Sequence, residues 1–177
     1  MKEKIKISLK TFNNNIKYPN FRISCDNNLL TEHHNWTKHT YEETFALELD
    51  KGKHKIRIEH FGKDPKDTIV NENLDVAIML EDLSFNGVKC NKVDLHENYF
   101  YTGKWRYPVG KKIKNSLYFG YNGTYEYIFN TPSITYILEQ NKRYQKYTNE
   151  VNDLEITEDD FITKLESHML AISNYVD

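Results

Sequence analysis

Apolar and polar residues alternate with a period of two through most of the first 130 residues, which is typical of strands that bury one face. The alternation is clearest in residues 4–10, 21–25, 45–49 and 54–60. Residues 75–85 are apolar at both parities, as expected for a central strand that is covered on both faces. The pattern therefore predicts a domain built mainly of short strands.

Turn signals separate these strands. Asn86-Gly87 and Asn122-Gly123 favour two-residue hairpins, because Asn and Gly tolerate the positive φ that both turn positions need. Asp50-Lys51-Gly52 predicts a further hairpin, in which acidic side chains of one strand would face basic side chains of the next. Residues 30–41 have no clear period and are expected to form a loop. The regular strands and turns predict an antiparallel β-sandwich of the jelly-roll type.

The last quarter of the chain changes to a helical period. Thr131-Pro132 is a helix-start signal, and the apolar spacing that follows predicts a helix over about residues 132–147. Thr157 is followed by three acidic residues, which suit the first turn of a second helix over about 157–174. The polar residues 149–155 between them are expected to form a linker.

This change of period divides the chain into a β-sandwich domain, residues 1–130, and a C-terminal helical extension, residues 131–177. The second helix carries an apolar stripe at helical spacing: Phe161, Leu165, Met169 and Ile172. A short helix of this kind needs an apolar partner for stability. That partner is either a neighbouring subunit, which would make the stripe a docking surface, or the sandwich of the same chain.

Composition excludes some classes of function. The 177 residues include 24 Lys and Arg and 26 Asp and Glu, a net charge of −2, which argues against a basic nucleic-acid-binding protein. The mean hydropathy of −0.76 and the lack of a long apolar run predict no membrane span. The first six residues show no apolar signal segment, so synthesis in the cytoplasm is expected.

Motifs for catalysis are not apparent, and we predict a non-enzymatic protein without catalytic residues. The sequence contains no nucleophile elbow, phosphate-binding loop or zinc-protease motif. Two cysteines, Cys25 and Cys90, are expected to be buried free thiols. His54 and His60 share a strand face but lie about 20 Å apart at ~3.3 Å per residue, so they are expected to be half-buried and bonded to the backbone.

Aromatic residues are abundant, at 14% of the chain with 13 tyrosines. Eight tyrosine and tryptophan residues fall within 29 residues: Tyr99, Tyr101, Trp105, Tyr107, Tyr118, Tyr121, Tyr125 and Tyr127. Such rings suit a sandwich core, a protein interface or stacking on the face of a sugar, and the residues leave these three alternatives open. Trp105 and Tyr107 are the candidates for contact with a glycan.

Two segments carry a resemblance to a known family. Residues 52–60 read Gly-Lys-His-Lys-Ile-Arg-Ile-Glu-His, and residues 75–87 begin with Asp75, continue through an apolar strand with Glu81, and end in Asn-Gly. This arrangement resembles the core of calcium-dependent xylan-binding carbohydrate-binding modules. The resemblance implies a carbohydrate-binding-module-like sandwich in which Asp75 and Glu81 help to hold a calcium ion that contacts sugar hydroxyls.

A second resemblance spans most of the chain. The segment Gly52–Lys63, the Asp-x-Ala-Ile segment at 75–78, and Asn-Gly-Thr-Tyr at 122–125 followed by Pro132 resemble uncharacterised virion structural proteins of marine tailed phages, of the T4-like cyanophage type. That family implies a structural component of the tail, baseplate, neck or head surface, including capsid decoration.

Together these observations give a main prediction and an alternative. The main prediction is a non-enzymatic virion protein that docks to other virion proteins and self-associates in a symmetric assembly. The alternative is a calcium-dependent carbohydrate-binding module, which could also be displayed on a virion for attachment to the host. Glycan is thus a partner only in the alternative, and the two interpretations are compatible.

Overall fold

A computed structural model describes residues 1–95, 99–103, 106–113 and 116–153 of the chain, with the backbone alone for residue 144 and residues 146–153. The chain forms two compact units, residues 1–141 and 142–177, and the β-structure described below lies in the first. The predicted division at residue 130 stays a prediction.

Most of the first unit is β-structure, as the alternation of apolar residues predicts. The strands are β1 (Lys2–Phe12), β2 (Asn20–Cys25), β3 (Asn28–His33), β4 (Thr40–Glu48), β5 (Gly52–Phe61), β6 (Ala77–Phe85), β7 (Val88–Lys89), β8 (Tyr99–Tyr101), β9 (Lys112–Ile113), β10 (Tyr118–Phe119) and β11 (Gly123–Thr131). The helices are α1 (Lys92–Leu95) and α2 (Ser133–Asp153). Short 3-10 turns at Pro65–Asp67 and Val70–Glu72 lie between β5 and β6.

The described strands form two antiparallel sheets that pack as a sandwich. Sheet A has the order β10-β6-β1-β4, with β7 also paired to β6, and sheet B has the order β3-β2-β5-β11-β8-β9. The prediction of a mainly β, antiparallel sandwich is therefore confirmed. Strand β6 lies inside sheet A between β10 and β1, as its apolar faces predict.

The core lies between the sheets and is rich in rings. Aliphatic side chains of β1 and β5 are fully buried, and so are Tyr99, Tyr101, Tyr125 and Phe129. Phe119 from sheet A stacks between Tyr99 and Tyr125 of sheet B, with ring centroids 4.6 and 5.5 Å away. Each large buried side chain contributes roughly 1.5–3 kcal/mol. Four of the eight clustered rings, those of Tyr99, Tyr101, Tyr125 and Tyr127, are thus buried.

The hairpin predicted at Asp50-Lys51-Gly52 is wrong. Strand β4 pairs with β1 in sheet A, whereas β5 pairs with β2 and β11 in sheet B, so this turn carries the chain from one sheet to the other. The charges of each strand are paired within its own sheet. Glu42 of β4 lies 2.8 Å from the Lys6 ammonium, and Glu126 of β11 lies 2.8 Å from the Arg57 guanidinium.

The two Asn-Gly sequences behave differently. Asn86 and Gly87 both have positive φ and join β6 to β7, which confirms that hairpin. Asn122-Gly123 does not form a hairpin, because β10 belongs to sheet A and β11 to sheet B. Gly123 is required for a packing reason, since its missing Cβ leaves room for the Tyr99 ring and the Phe100 carbonyl.

Two further boundaries differ from the sequence prediction. Residues 30–33, part of the loop predicted over 30–41, belong to β3, which is hydrogen-bonded to β2 after a turn in which Asp26 has positive φ. Helix α2 begins at Ser133 and continues to Asp153, beyond the predicted end at 147, because no Gly or Pro interrupts residues 133–153. The predicted second helix, 157–174, lies outside the described residues.

Helix α2 starts on a buried polar contact that the periodicity does not reveal. The Glu3 carboxylate, 2% exposed, accepts hydrogen bonds from the Ser133 backbone and hydroxyl and from the Asn86 side chain. Ile137, one turn further along, is also buried. No helix in the described part of the chain is both long and apolar enough to cross a bilayer.

Replacing Gly123 with Ala tests the close approach of β8 to β11. A Cβ at this position would overlap the Tyr99 ring and lie 2.7 Å from the Phe100 carbonyl oxygen. Overpacking of this kind costs about 1–3 kcal/mol, so the urea midpoint should fall with an unchanged slope. Thr124→Ala, next along the strand and half-buried, is the control and should lose less than about 1 kcal/mol. Equal stability of Gly123→Ala and wild type would contradict this packing.

Candidate functional site

A cleft of about 350 Å³ opens at one end of the sandwich. It lies where β5 and β10 end and β6 and β11 begin, beside the connection of residues 62–76. Three tyrosines, one carboxylate, one guanidinium and one hydroxyl are its main chemical groups: Tyr99, Tyr118, Tyr121, Asp75, Arg106 and Thr68. Aromatic and hydrogen-bonding groups together are typical of a small-ligand site.

The connection beside the cleft is held in place by polar contacts from the turn that follows β1. The Lys17 ammonium donates to the Gly62 carbonyl at 2.7 Å and to the Asp67 carboxylate at 2.5 Å. Asp67 also accepts from the Asp64 backbone N–H at 2.7 Å, which closes the first 3-10 turn. These bonds lower the pKa of Asp67 despite its burial, so the carboxylate stays ionised.

Asp75 lies at the base of the cleft with both carboxylate oxygens engaged. Its Oδ1 accepts from the Lys63 ammonium, from the Thr68 hydroxyl at 2.7 Å and from the Val76 backbone N–H at 2.9 Å. Its Oδ2 accepts from the Tyr118 hydroxyl at 2.6 Å. Each carboxylate oxygen offers about two acceptor positions, so Oδ1 is fully engaged and Oδ2 has one described donor.

Lys63 is the cationic partner of Asp75, and its side chain is 0% exposed. The ammonium also donates to the Gly120 carbonyl at 2.6 Å. Burial lowers the pKa of Lys63, and the adjacent Asp75 carboxylate opposes that change. Because Nζ contacts a carboxylate and a carbonyl, both of which are acceptors, the protonated form fits the site.

The backbone of Lys63 is fixed by one side chain from the segment between β10 and β11. Asn122 Oδ1 accepts from the Lys63 N–H at 2.8 Å, and Asn122 Nδ2 donates to the Lys63 carbonyl at 2.7 Å. Asn122 therefore joins the end of β5 to the start of β11. These two hydrogen bonds, and not a hairpin turn, account for the asparagine at position 122.

The tyrosines of the cleft are hydrogen-bond donors held in fixed positions. Burial, and then the hydrogen bond to Asp75, raises the pKa of Tyr118, whose ring lies edge-on to Phe12 at 5.3 Å. Burial also raises the pKa of Tyr99, whose hydroxyl donates to the Tyr121 carbonyl. The Tyr118 side chain remains 38% exposed, so part of its ring is available to a ligand.

Arg106 supplies the positive charge of the cleft. Its guanidinium lies 5.3 Å from the ring centroid of Tyr121 and 5.7 Å from that of Tyr107, within the range of cation–π attraction. Its backbone N–H donates to the buried Tyr101 hydroxyl at 2.9 Å. No carboxylate among the described residues pairs with this guanidinium.

The structure separates the two predicted calcium ligands. Asp75 lies in the cleft, whereas Glu81 is the extra residue at a bulge, since Ser8 pairs with Asp82 and Leu9 with Leu80. Six residues of largely extended chain span roughly 15–20 Å, too far for two ligands of one ion. Within the described ranges, no three His, Cys, Asp or Glu side chains could together hold a metal ion.

A calcium ion at Asp75 would have to compete with the donors already there. Calcium takes six to eight oxygen ligands at ~2.3–2.6 Å, and the Asp75 oxygens already accept from an ammonium, two hydroxyls and an N–H. Calcium binding by this chain stays a prediction.

The other predicted site residues are distributed as follows. Tyr107 is half-buried beside the cleft, with its ring 5.7 Å from that of Tyr121 and the Lys111 ammonium 4.6 Å from its centroid. Trp105 lies outside the described residues, and so do Phe161, Leu165, Met169 and Ile172. Their roles in glycan contact and docking stay predictions.

Sequence reasoning missed Lys63, Tyr118 and Arg106 as members of one site. Lys63 follows a Gly in a loop that reads as solvated, and lysine is almost never fully buried. The signal that could have led to a cationic partner was Asp75, which the resemblance had marked. A buried carboxylate at the end of a strand needs such a partner.

Comparison with known proteins gives a likeness of fold. No protein-family model matches the sequence, and no curated protein matches it. A solved structure of the carbohydrate-binding module vCBM60 in complex with galactobiose is 14% identical, with a TM-score of 0.45 over 70% of this chain and 95% of that chain. The selenomethionine form of vCBM60, described as linking two families of calcium-dependent carbohydrate-binding modules, is 14% identical, with a TM-score of 0.46 over 70% of this chain and 88% of that chain.

A buried histidine beside the cleft makes stability depend on pH. His60 is 0% exposed, and its Nδ1 lies 2.9 Å from the Tyr121 carbonyl, to which it donates as the neutral ring. Burial lowers the pKa of His60 to about 4. His54 differs, because its ring nitrogens face the Asp26 carboxylate and the Asp50 carbonyl, and the bond to Asp26 raises its pKa.

We expect His60 to reduce stability as the pH falls. The unfolded chain takes up a proton near pH 6.5 that the folded chain refuses until about pH 4, so stability is complete above pH 6.5 and declines below it. Between pH 7.5 and 5.5 the loss from this residue should be about 1.3 kcal/mol, measured by urea unfolding. His60→Asn, which retains an N–H donor for Tyr121, should remove that part of the pH dependence.

His54 provides the matched control of opposite sign. Its raised pKa contributes stability that is complete below pH 6.5 and lost as the pH rises through the folded value. His54→Asn should therefore make the decline from pH 7.5 to 5.5 steeper. A decline that stays the same in both variants would show that neither ring is held as described.

Proposed function

We propose that this protein binds carbohydrate in the cleft and does not transform it. The observation that carries the proposal is the meeting of a partly exposed tyrosine ring, Tyr118, with the hydrogen-bonding groups of Asp75, Thr68 and Arg106 in one opening of about 350 Å³. A sugar ring presents C–H groups on its face and hydroxyls at its edge. The first suit an aromatic ring, and the second suit fixed donors and acceptors.

The charge of the cleft supports a preference among sugars. Asp75 is neutralised by Lys63, and the other main groups are the hydroxyls of Thr68 and the tyrosines. No carboxylate in the described part of the chain pairs with the Arg106 guanidinium, which is then the charge that a ligand meets. Since Arg binds planar carboxylates through two parallel N–H groups, glycans that contain uronic acids are favoured over neutral ones.

Binding without catalysis agrees with the carboxylates that line the opening. Glycoside hydrolysis uses two carboxyl groups, one of them an acid with a raised pKa. Among the described lining residues Asp75 alone bears a carboxyl group, and four donors engage it.

A role in a phage particle is a separate proposal. It rests on the resemblance of residues 52–63, 75–78 and 122–125 to virion proteins, and it includes assembly in the host cytoplasm and docking to other virion proteins. Display of the cleft on a virion surface would join the two roles, because a surface-exposed glycan site would serve attachment to a host.

A glycan array followed by titration calorimetry tests the carbohydrate proposal. We expect binding to uronate-containing oligosaccharides, with weaker binding to neutral xylo-, gluco- and galacto-oligosaccharides. Arg106→Ala should raise the dissociation constant about tenfold or more, since a hydrogen bond to a charged group contributes ~1.5–3 kcal/mol. Ile128→Ala is the control, because Ile128 is exposed on β11 and does not line the cleft.

The outcome of this experiment separates the parts of the proposal. Tight binding to neutral sugars alone would remove the preference for uronates and keep the site. Binding that Arg106→Ala and Tyr118→Ala leave unchanged would place the ligand elsewhere. No binding to any glycan at millimolar concentration would refute the function.

A further inference from the structure

The cleft contains a cation that belongs to the chain itself. We propose that the Lys63 ammonium is the resident cation of this site, so that the cleft is assembled and binds its ligand without a metal ion. The assembly part stands on the geometry alone, whereas the ligand part rests on the proposed function.

The first support is the set of oxygens around the ammonium. Lys63 Nζ contacts a carboxylate oxygen of Asp75 and the Gly120 carbonyl oxygen, the two kinds of oxygen that hard cations also prefer. Asp75 Oδ1 also accepts from Thr68 and Val76, and Oδ2 accepts from Tyr118, so both carboxylate oxygens are already engaged. A divalent ion on Asp75 would therefore compete with these donors and would face the ammonium.

The second support is the construction that holds the lysine. Asn122 bonds both the N–H and the carbonyl of Lys63, which fixes the point from which the side chain enters. Gly120 permits the crowded approach, since a Cβ there would overlap the Tyr118 ring and lie 3.3 Å from Asp75 Oδ2. The lysine side chain is 0% exposed. A solvent-facing lysine would need none of these features.

The third support is the balance of charge. A fully buried ammonium requires a partner carboxylate, and the Asp75 carboxylate, whose side chain is only 20% exposed, is stabilised by a cation. Each of Lys63 and Asp75 meets the need of the other. Removal of the ammonium alone leaves a half-buried negative charge with space beside it, into which a small cation can enter.

Thermal unfolding in calcium and in chelator is the deciding measurement. The wild-type melting temperature should be the same in millimolar CaCl2 and in EDTA. Lys63→Met, which keeps the length and removes the charge, should melt several degrees lower, because Asp75 loses its partner. Lys66→Met is the matched control, since Lys66 is exposed three residues away and should leave the melting temperature unchanged.

A double variant separates charge from packing. Lys63→Met combined with Asp75→Asn removes both charges, so it should recover part of the stability that Lys63→Met alone loses. Additive losses would mean that the two side chains do not act as a pair, which would overturn the proposal.

Chemical rescue tests the role of the ammonium directly. In Lys63→Ala, added propylammonium chloride should raise the melting temperature above that in equal sodium chloride, because the small cation can occupy the vacated position beside Asp75 and Gly120. Wild type and Lys63→Met should show no such rise. The lack of any cation-specific rise in Lys63→Ala would count against the proposal.

One result overturns the proposal outright. If calcium raises the melting temperature of the wild type and Asp75→Asn abolishes that rise, Asp75 is a metal ligand. This comparison needs no lysine variant, so it decides the question even if Lys63→Met and Lys63→Ala fail to fold. Glycan binding of equal strength in calcium and in EDTA supports the ligand part. Failure of every glycan to bind refutes the proposed function, while the melting experiments still decide the role of Lys63.

Discussion

The ion pair between Lys63 and Asp75 is the constraint on which the cleft end of this sandwich depends. Lys63 follows β5 in sheet B, and Asp75 precedes β6 in sheet A, so the contact joins the two sheets at their ends. Gly120 and Asn122, in the segment that returns from sheet A to sheet B, hold the same lysine. Two of the connections between the sheets, residues 62–76 and 120–122, therefore meet at Lys63.

Alternation of apolar residues identified most long strands, because burial of one face is a local property that each strand expresses in its own sequence. Which strands pair with each other was harder to predict from the sequence. Asp50-Lys51-Gly52 and Asn122-Gly123 have the composition of hairpins, yet both carry the chain between sheets. Their partners are decided by contacts far along the chain, such as Glu126 with Arg57, which no short window contains.

The candidate site was accessible only in part for a related reason. Asp75 stood out through resemblance to a calcium-dependent family, but the cation beside it is Lys63, twelve residues earlier in a loop with no periodic signal. Lysine in a polar loop reads as solvated, and only the folded chain shows its side chain fully buried. No sequence motif surrounds Arg106. Its place in the site is set by the rings of Tyr107 and Tyr121, over which its guanidinium lies.

An internal cation changes what the cleft can recognise. A bound metal would offer open coordination positions to sugar hydroxyls. The described hydrogen bonds of the Lys63 ammonium are instead donated to Asp75 and Gly120. Under the proposed function, a ligand would then be recognised by groups that face the opening, the ring of Tyr118 and the guanidinium of Arg106. Because Lys63 neutralises Asp75, the Arg106 guanidinium determines the sign of the electrostatic potential in the cleft. Under the proposed function, the ion pair that joins the sheets would also favour a ligand with negative charge.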